Sequence, residues 1–88
     1  MVRIAPLDRY VAMGKQWSLD ENLAPKDISA ALKRKVKQSA KVDNKVKHEW
    51  QFTVDGVPCA IWDYYGVRWS AFGPAEAFAK IGLTVHKG

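Results

Sequence analysis

Apolar residues recur at a helical spacing in the middle of the chain. Between residues 26 and 42 they stand at every fourth position, at Ile28, Leu32, Val36 and Ala40. This period predicts one amphipathic helix with an apolar stripe towards a core and lysines on the opposite side. Asp27 is its expected N-cap, because a carboxylate can accept a hydrogen bond from the free amides of the first turn.

From Lys45 onwards the period changes from four to two, which is typical of a strand. The alternate positions are Val46, His48, Trp50, Phe52 and Val54. Asp55 and Gly56 follow, and this dipeptide favours a two-residue type I′ hairpin turn. Such a turn fixes the register of the two strands it joins. The predicted pairs are Val54 with Val57, Phe52 with Cys59, Trp50 with Ile61, and His48 with Asp63.

Gly66 marks a second turn, which predicts a third strand over residues 67–72. We expect a connecting loop of two or four residues, and either length places Trp69 on the same sheet face as Trp62 and Tyr64. A helix over residues 75–81 follows, with Gly82 at its end. Residues 83–85 are expected to form a fourth strand or a tail.

The N-terminal part carries weaker helix signals. Pro6 and Gly14 suit the two ends of a helix over 6–14, and Ser18 with Glu21 has the form of a capping box for one or two turns. The predicted fold class is α+β, a three-stranded antiparallel β-meander, four-stranded if 83–85 pairs, with N-terminal helices and one C-terminal helix. Residues 1–88 are predicted to form a single domain, with a helical part at 6–42, the meander at 45–72 and the last helix at 74–81.

Cysteine content and hydropathy limit the setting in which the chain works. Cys59 is the only cysteine, so no intrachain disulfide can form, and this usage favours the cytoplasm. No apolar run reaches the length of a signal peptide or of a membrane span. We therefore expect a cytoplasmic protein with no membrane partner.

The positive charge is concentrated in one block of sequence. The net charge is +5, and residues 33–47 hold seven basic side chains against Asp43 alone, which gives 7 − 1 = +6. A contiguous cationic block favours phosphate or an acidic protein surface as a partner, although a lysine-rich helix face is as often only solvated.

Aromatic side chains are predicted beside these lysines on one face of the meander. Bases stack on such aromatics, and the same rings serve as hot spots of protein interfaces. The alternative is that a helix covers this face and makes it a second small core. The predicted binding residues are Lys33, Arg34, Lys37, Lys41, Lys45, Lys47, Trp62, Tyr64 and Trp69.

The residues favour a binding module over an enzyme. The leading hypothesis is a small non-catalytic protein that contacts nucleic acid through the aromatic and lysine face. The alternative is an inhibitor or adaptor of the phage or mobile-element type that docks on a host or partner protein through the same aromatics.

A small ribonuclease comes third. His48 opposite Asp63, with Arg68 near the same row, is the one constellation that resembles a catalytic one, and a structural polar cap is the favoured interpretation of it. The sequence shows no metal-ligand spacing, phosphate loop or nucleophile motif, so no cofactor is expected.

The motifs do not place the chain in one family. Residues 60–65, a turn, Arg68-Trp69 through Phe72, and Ala75-Glu76 resemble in their order the three-stranded-sheet-plus-helix DNA readers such as plant AP2-type domains. The order and basicity are also similar to those of small ribonuclease toxins of the RelE type. Both resemblances are analogies of fold, and they imply no site residues.

Overall fold

The fold is known from a computed structural model, which describes residues 2–7, 14–38, 48–64 and 68–87, with the backbone alone for Tyr64 and Arg68. Six strands and two helices lie within these residues. In chain order they are β1 (Ile4–Pro6), β2 (Trp17–Ser18), α1 (Pro25–Ala31), β3 (Glu49–Val54), β4 (Val57–Tyr64), β5 (Arg68–Phe72), α2 (Ala75–Lys80) and β6 (His86–Lys87).

All six strands belong to one antiparallel sheet, in the order β1-β3-β4-β5-β2-β6. The predicted α+β class is confirmed, and the predicted meander forms the centre of the sheet as β3, β4 and β5. Three short strands extend it beyond the prediction: β1 on one side, and β2 with β6 on the other. The two described helices pack in the same apolar cluster as one sheet face.

The β3–β4 hairpin has the predicted turn and register. Asp55 and Gly56 both have positive φ, 51° and 82°, as a type I′ turn requires. Val54 pairs with Val57, and Phe52 with Cys59. The ladder continues past the end of β3, because the Asp63 amide donates to the His48 carbonyl at 3.0 Å.

The pairing of β4 with β5 corrects the predicted sheet faces. Three residues separate Tyr64 from Arg68, and the register pairs Ile61 with Ala71 and Asp63 with Trp69. An odd loop length shifts the pairing by one residue, which exchanges the two faces of the following strand. Trp69 and Ala71 therefore share a face with Ile61 instead of with Trp62, and Phe72 lies on the face of Ala60 and Trp62.

The face that the helices cover, here called the core face, carries most of the buried apolar side chains. Ile28 of α1, its C-cap Leu32 and Phe78 of α2 are fully buried in its cluster, and Phe52 meets Phe78 edge-on with ring centroids 6.4 Å apart. The sheet contributes the remaining apolar side chains of this layer: Ile4, Trp50, Phe52, Val54, Cys59, Ile61, Trp69 and Ala71.

The opposite, second face is also buried at the centre of the sheet. Ala60 is inaccessible, and Trp62 exposes only 7% of its surface. Glu49 and Gln51 are buried on the same face, and both take part in polar or electrostatic interactions. The centre of this face is therefore not an exposed surface.

The predicted helix over 26–42 is much shorter in the structure. α1 ends at Ala31, and Lys33 and Arg34 then adopt left-handed φ angles of 55° and 56°. The apolar period misled the prediction because Val36 is still buried, at 4% exposure, although it lies beyond the helix. Ala24 is the N-cap, and Asp27 is three residues further on, where its Oδ2 accepts the Ala24 amide at 2.8 Å. Residues 39–47 lie outside the described part.

The N-terminal helix predictions are also corrected. Pro6 ends strand β1, and residues 8–13 of the predicted helix over 6–14 lie outside the described residues. Ser18 ends strand β2 and starts no helix, while Asp20 forms a turn in which its Oδ1 accepts the Asn22 amide at 2.9 Å. The predicted C-terminal helix is confirmed as α2, and the last strand is β6 at 86–87 instead of 83–85.

Candidate functional site

Asp63 holds His48 through two hydrogen bonds at the end of the β3–β4 ladder. Its Oδ1 accepts the His48 amide at 2.9 Å, and its Oδ2 lies 2.7 Å from Nδ1 of the imidazole. The Asp63 side chain is 5% exposed, whereas the His48 side chain is 33% exposed. The carboxylate is thus inside the protein, and it orients an imidazole that reaches the surface.

Two tryptophans of the core face lie near the imidazole ring. Trp50 lies nearly parallel to it, with an interplanar angle of 15° and ring centroids 6.4 Å apart, and Trp69 lies at the same distance with a tilt of 52°. The Trp69 indole is itself fixed, since Nε1 donates to the Leu23 carbonyl at 2.7 Å. The pair of His48 with Asp63 was predicted from the register, but Trp69 was expected on the other face.

A signal for Trp69 was present in the sequence. Tyr65, Gly66 and Val67 place a glycine inside a three-residue span, and three-residue hairpin loops are the next most common after two-residue ones. A loop of three residues pairs Trp69 with Asp63 and so places it in the same row of the sheet as His48.

The predicted aromatic binding face does not form as one exposed surface. Trp62 lies on the second face and exposes 7%, whereas Trp69 lies on the core face and exposes 5%. The Tyr64 side chain lies outside the described part. The structure therefore separates Trp69 from Trp62, and neither tryptophan offers a ring to solvent.

The basic block begins with a turn that presents its cations to solvent. Lys33, Arg34, Lys35 and Lys37 are all exposed, whereas Leu32 before them and Val36 among them are buried. We call residues 33–37 the basic turn. Of the other predicted cations, Lys41, Lys45 and Lys47 lie outside the described residues.

The backbone of the basic turn is strained at two successive positions. A left-handed conformation costs an L-residue with a side chain roughly 1–2 kcal/mol, and Lys33 and Arg34 both adopt it. Their amides are used within the protein, because Lys33 donates to the Ala30 carbonyl and Arg34 to the Ser29 carbonyl, each at 2.9 Å. The charged side chains, and not the backbone amides, are what this turn offers to a ligand.

A separate apolar groove lies beside the β3–β4 turn. The groove is open to solvent and has a volume of about 640 Å³ between Trp17, Phe72 and the two prolines Pro58 and Pro74. Val57, which also lines it, is 39% exposed and is the most exposed large apolar residue in the described ranges. The Trp17 indole donates to the Gly73 carbonyl at 2.7 Å, so its polar edge is already satisfied.

The described residues hold neither a metal-binding cluster nor a membrane-spanning helix. No set of three or more histidine, cysteine, aspartate or glutamate side chains within them could hold a metal ion. Neither described helix has the length and apolar character needed to cross a bilayer.

The chain was compared with protein-family models, with curated proteins and with solved structures, and none of them matches it.

Proposed function

We propose that this protein binds nucleic acid through its phosphate backbone, with the basic turn as the first part of the contact surface. The observation that carries the proposal is the turn itself, in which four cations within five residues are exposed, three of them between the buried residues Leu32 and Val36 and the fourth directly after Val36. Leu32 and Val36 fix the turn to the core, so the charges do not depend on a mobile tail for their position. The block continues in sequence through Lys41, Lys45 and Lys47.

Strain at the turn supports a functional role for these side chains. Glycine would adopt the conformations of Lys33 and Arg34 without cost, yet the sequence keeps two cations there. Unfavourable backbone geometry clusters at binding and switch sites, where the rest of the fold maintains it. A charged pair held in place against its own backbone preference is consistent with a ligand that needs both charges.

The mode of binding differs from the one expected from the sequence. Because Trp62 and Trp69 are buried, base stacking on these rings is not part of the proposal. Contacts to phosphates position a nucleic acid and carry no direct sequence information. We therefore propose binding that tolerates many sequences and weakens steeply with salt.

Fluorescence anisotropy of a labelled oligonucleotide, measured over a range of salt concentrations, tests the proposal. Each phosphate contact releases counterions, so log K should fall with log salt by about 0.7 to 0.9 per contact. Lys33→Gln and Lys37→Gln should each reduce this slope by about one contact.

Lys87→Gln is the matched control, since it removes an equally exposed lysine from β6, far along the chain from the basic block. It should leave the slope unchanged. Equal slopes for all three variants, or no binding by the unaltered protein at low salt, would show the proposal to be wrong.

A partner protein is the second candidate, and the apolar groove is what favours it. Trp17, Phe72 and the exposed Val57 give that surface the aromatic and aliphatic character of an interface core. The same titrations separate the two functions, because a protein interface responds to salt mainly through its association rate. A chain that binds no oligonucleotide but loses a partner on Val57→Lys would support the second candidate.

A further inference from the structure

The two hydrogen bonds of Asp63 decide which nitrogen of His48 can act on a substrate. A carboxylate oxygen only accepts, so Nδ1 at 2.7 Å carries the hydrogen of that contact. The neutral imidazole then has its lone pair on Nε2. The second bond, from the His48 amide to Oδ1, ties the same carboxylate to the backbone that carries the ring.

Two buried tryptophans lie near one side of the ring. The centroids of Trp50 and Trp69 are each 6.4 Å from the imidazole and 5.7 Å from each other, and the two residues are only 1% and 5% exposed. A purely structural role for His48, as a polar cap on the end of the core, requires only its two hydrogen bonds to Asp63. An oriented imidazole that keeps a third of its side-chain surface in solvent, above a buried carboxylate, also meets the geometric needs of a general base.

We propose that His48 is a catalytic general base that cleaves RNA, with Asp63 as its positioning residue; this inference rests on the proposed binding of nucleic acid. RNA is the substrate class because its 2′-hydroxyl lies next to the phosphate it can attack, so one well-placed base is enough to start the reaction. In the sequence the basic block runs up to Lys47, the residue before His48, which brings phosphate-binding charge and base together along the chain.

The reaction is a transfer within the substrate and involves no change of oxidation state. Nε2 of His48 takes the proton of the 2′-hydroxyl while the 2′-oxygen forms a bond to phosphorus. The bond from phosphorus to the 5′-oxygen breaks, and that oxygen takes a proton from water. The hydroxide left by the water is neutralised by the proton that His48 releases. The products are a 2′,3′-cyclic phosphate and a free 5′-hydroxyl.

A DNA oligonucleotide that contains one ribonucleotide is a direct probe. Incubated with the full chain in EDTA, it should be cut on the 3′ side of that ribonucleotide and nowhere else, leaving the cyclic phosphate. An all-DNA oligonucleotide should stay intact. His48→Gln should lower kcat by about 100- to 10,000-fold, the range for loss of a general base, with binding of the probe unchanged.

The other histidine provides a matched control. His86 is exposed in β6, and His86→Gln, purified in the same way, should keep full activity, so that a loss in His48→Gln cannot come from the purification or from replacing a histidine as such. Asp63→Asn keeps an oxygen for the His48 amide but presents an amide to the ring, which favours the wrong tautomer. It should lower kcat while KM and the tryptophan fluorescence spectrum stay close to those of the unaltered protein.

Each outcome decides between the two proposals. Cleavage that disappears in His48→Gln supports both of them. Salt-dependent binding without cleavage, or equal cleavage by His48→Gln, shows the catalytic inference to be wrong and leaves the binding function in place. If the probe is neither bound nor cut at high protein concentration, both are wrong.

Discussion

At the scale of single residues, the left-handed backbone of Lys33 gives a variant with two opposite effects. Lys33→Gly should raise the free energy of unfolding by about 1 kcal/mol, because glycine reaches this conformation without a steric penalty. The same substitution removes a cation of the proposed contact surface, so binding of nucleic acid should weaken. Urea denaturation and the anisotropy titration measure the two effects.

Lys35→Gly is the comparison that separates them. Lys35 is equally exposed in the same turn but is not among the residues with positive φ. Its replacement should weaken binding to a similar degree and should destabilise the fold slightly, since glycine gains freedom when the chain unfolds. A loss of stability in both variants would contradict the strain assigned to Lys33.

The β3–β4 turn makes a second prediction at this scale. Gly56 has a φ of 82°, and a Cβ built on it would meet no atom within 4 Å, so any cost of substitution comes from the backbone alone. Gly56→Val should lower the free energy of unfolding by about 1–2 kcal/mol. Gly14 also has open space but no positive φ, and Gly14→Val should leave the denaturation midpoint nearly unchanged.

At the scale of elements, Asp55 connects the β3–β4 turn with the start of β1 and with the end of α2. Its Oδ1 accepts the Arg3 amide before β1 at 2.8 Å, and its Oδ2 lies 3.2 Å from Nζ of Lys80 at the end of α2. The hydrogen bond from the Arg3 amide, followed by that from Lys80, holds the pKa of Asp55 below its ordinary value of 3.8. A carboxyl with a lowered pKa stabilises the fold above the unfolded value, and this contribution is lost as the pH falls below 3.8.

Asp55→Asn tests that contribution without disturbing the turn, because asparagine also tolerates a left-handed backbone. The variant should be less stable than the unaltered protein at neutral pH, and the difference should shrink as the pH falls from 3.8 towards the folded pKa of Asp55. Urea midpoints at neutral pH and at about pH 3 measure it. A difference that stays constant or grows on acidification would exclude a role for the ionised carboxylate.

The elements also show what the sequence could predict. Asp55-Gly56 specified both the turn and the register, and the register alone brought His48 to Asp63, so half of the candidate site followed from local chemistry. The end of α1 at Ala31 could not be predicted from the sequence. Leu32 and Val36 keep the helical period, both are buried, and no glycine or proline interrupts it, so only the left-handed φ angles of Lys33 and Arg34 show that the chain has left the helix.

At the scale of the whole molecule, the edges of the sheet were beyond sequence patterns. β1 has three residues, and β2 and β6 have two each, which is too short for any period to be visible. Their places depend on partners far away in the chain, since Trp17 pairs with both Ala71 and Lys87. The Trp69 side of the candidate site was missed for a related reason, because one residue of loop length decided its face.

Cys59 reports on the integrity of the whole fold. Burial raises the pKa of its thiol to about 11, and a Cβ placed on Gly73 would come within 2.8 Å of its sulfur, so the thiol is tightly enclosed. Only the thiolate reacts with alkylating reagents, so iodoacetamide should label Cys59 only when the protein unfolds. Gly56→Val should therefore be labelled faster than the unaltered protein, and equal rates would indicate a local opening at β4.

The order of strands in the sheet has a consequence for the protein during its synthesis. β1 and β2 leave the ribosome before the other strands, yet β1 needs β3 and β2 needs β5, so their pairing cannot be complete until residues 54 and 71 have been made. The β3–β4 hairpin, closed by two residues, can form as soon as it emerges. We therefore expect the sheet of the nascent chain to form from its centre outwards, with β1 and β2 unpaired until β3 and β5 have been synthesised.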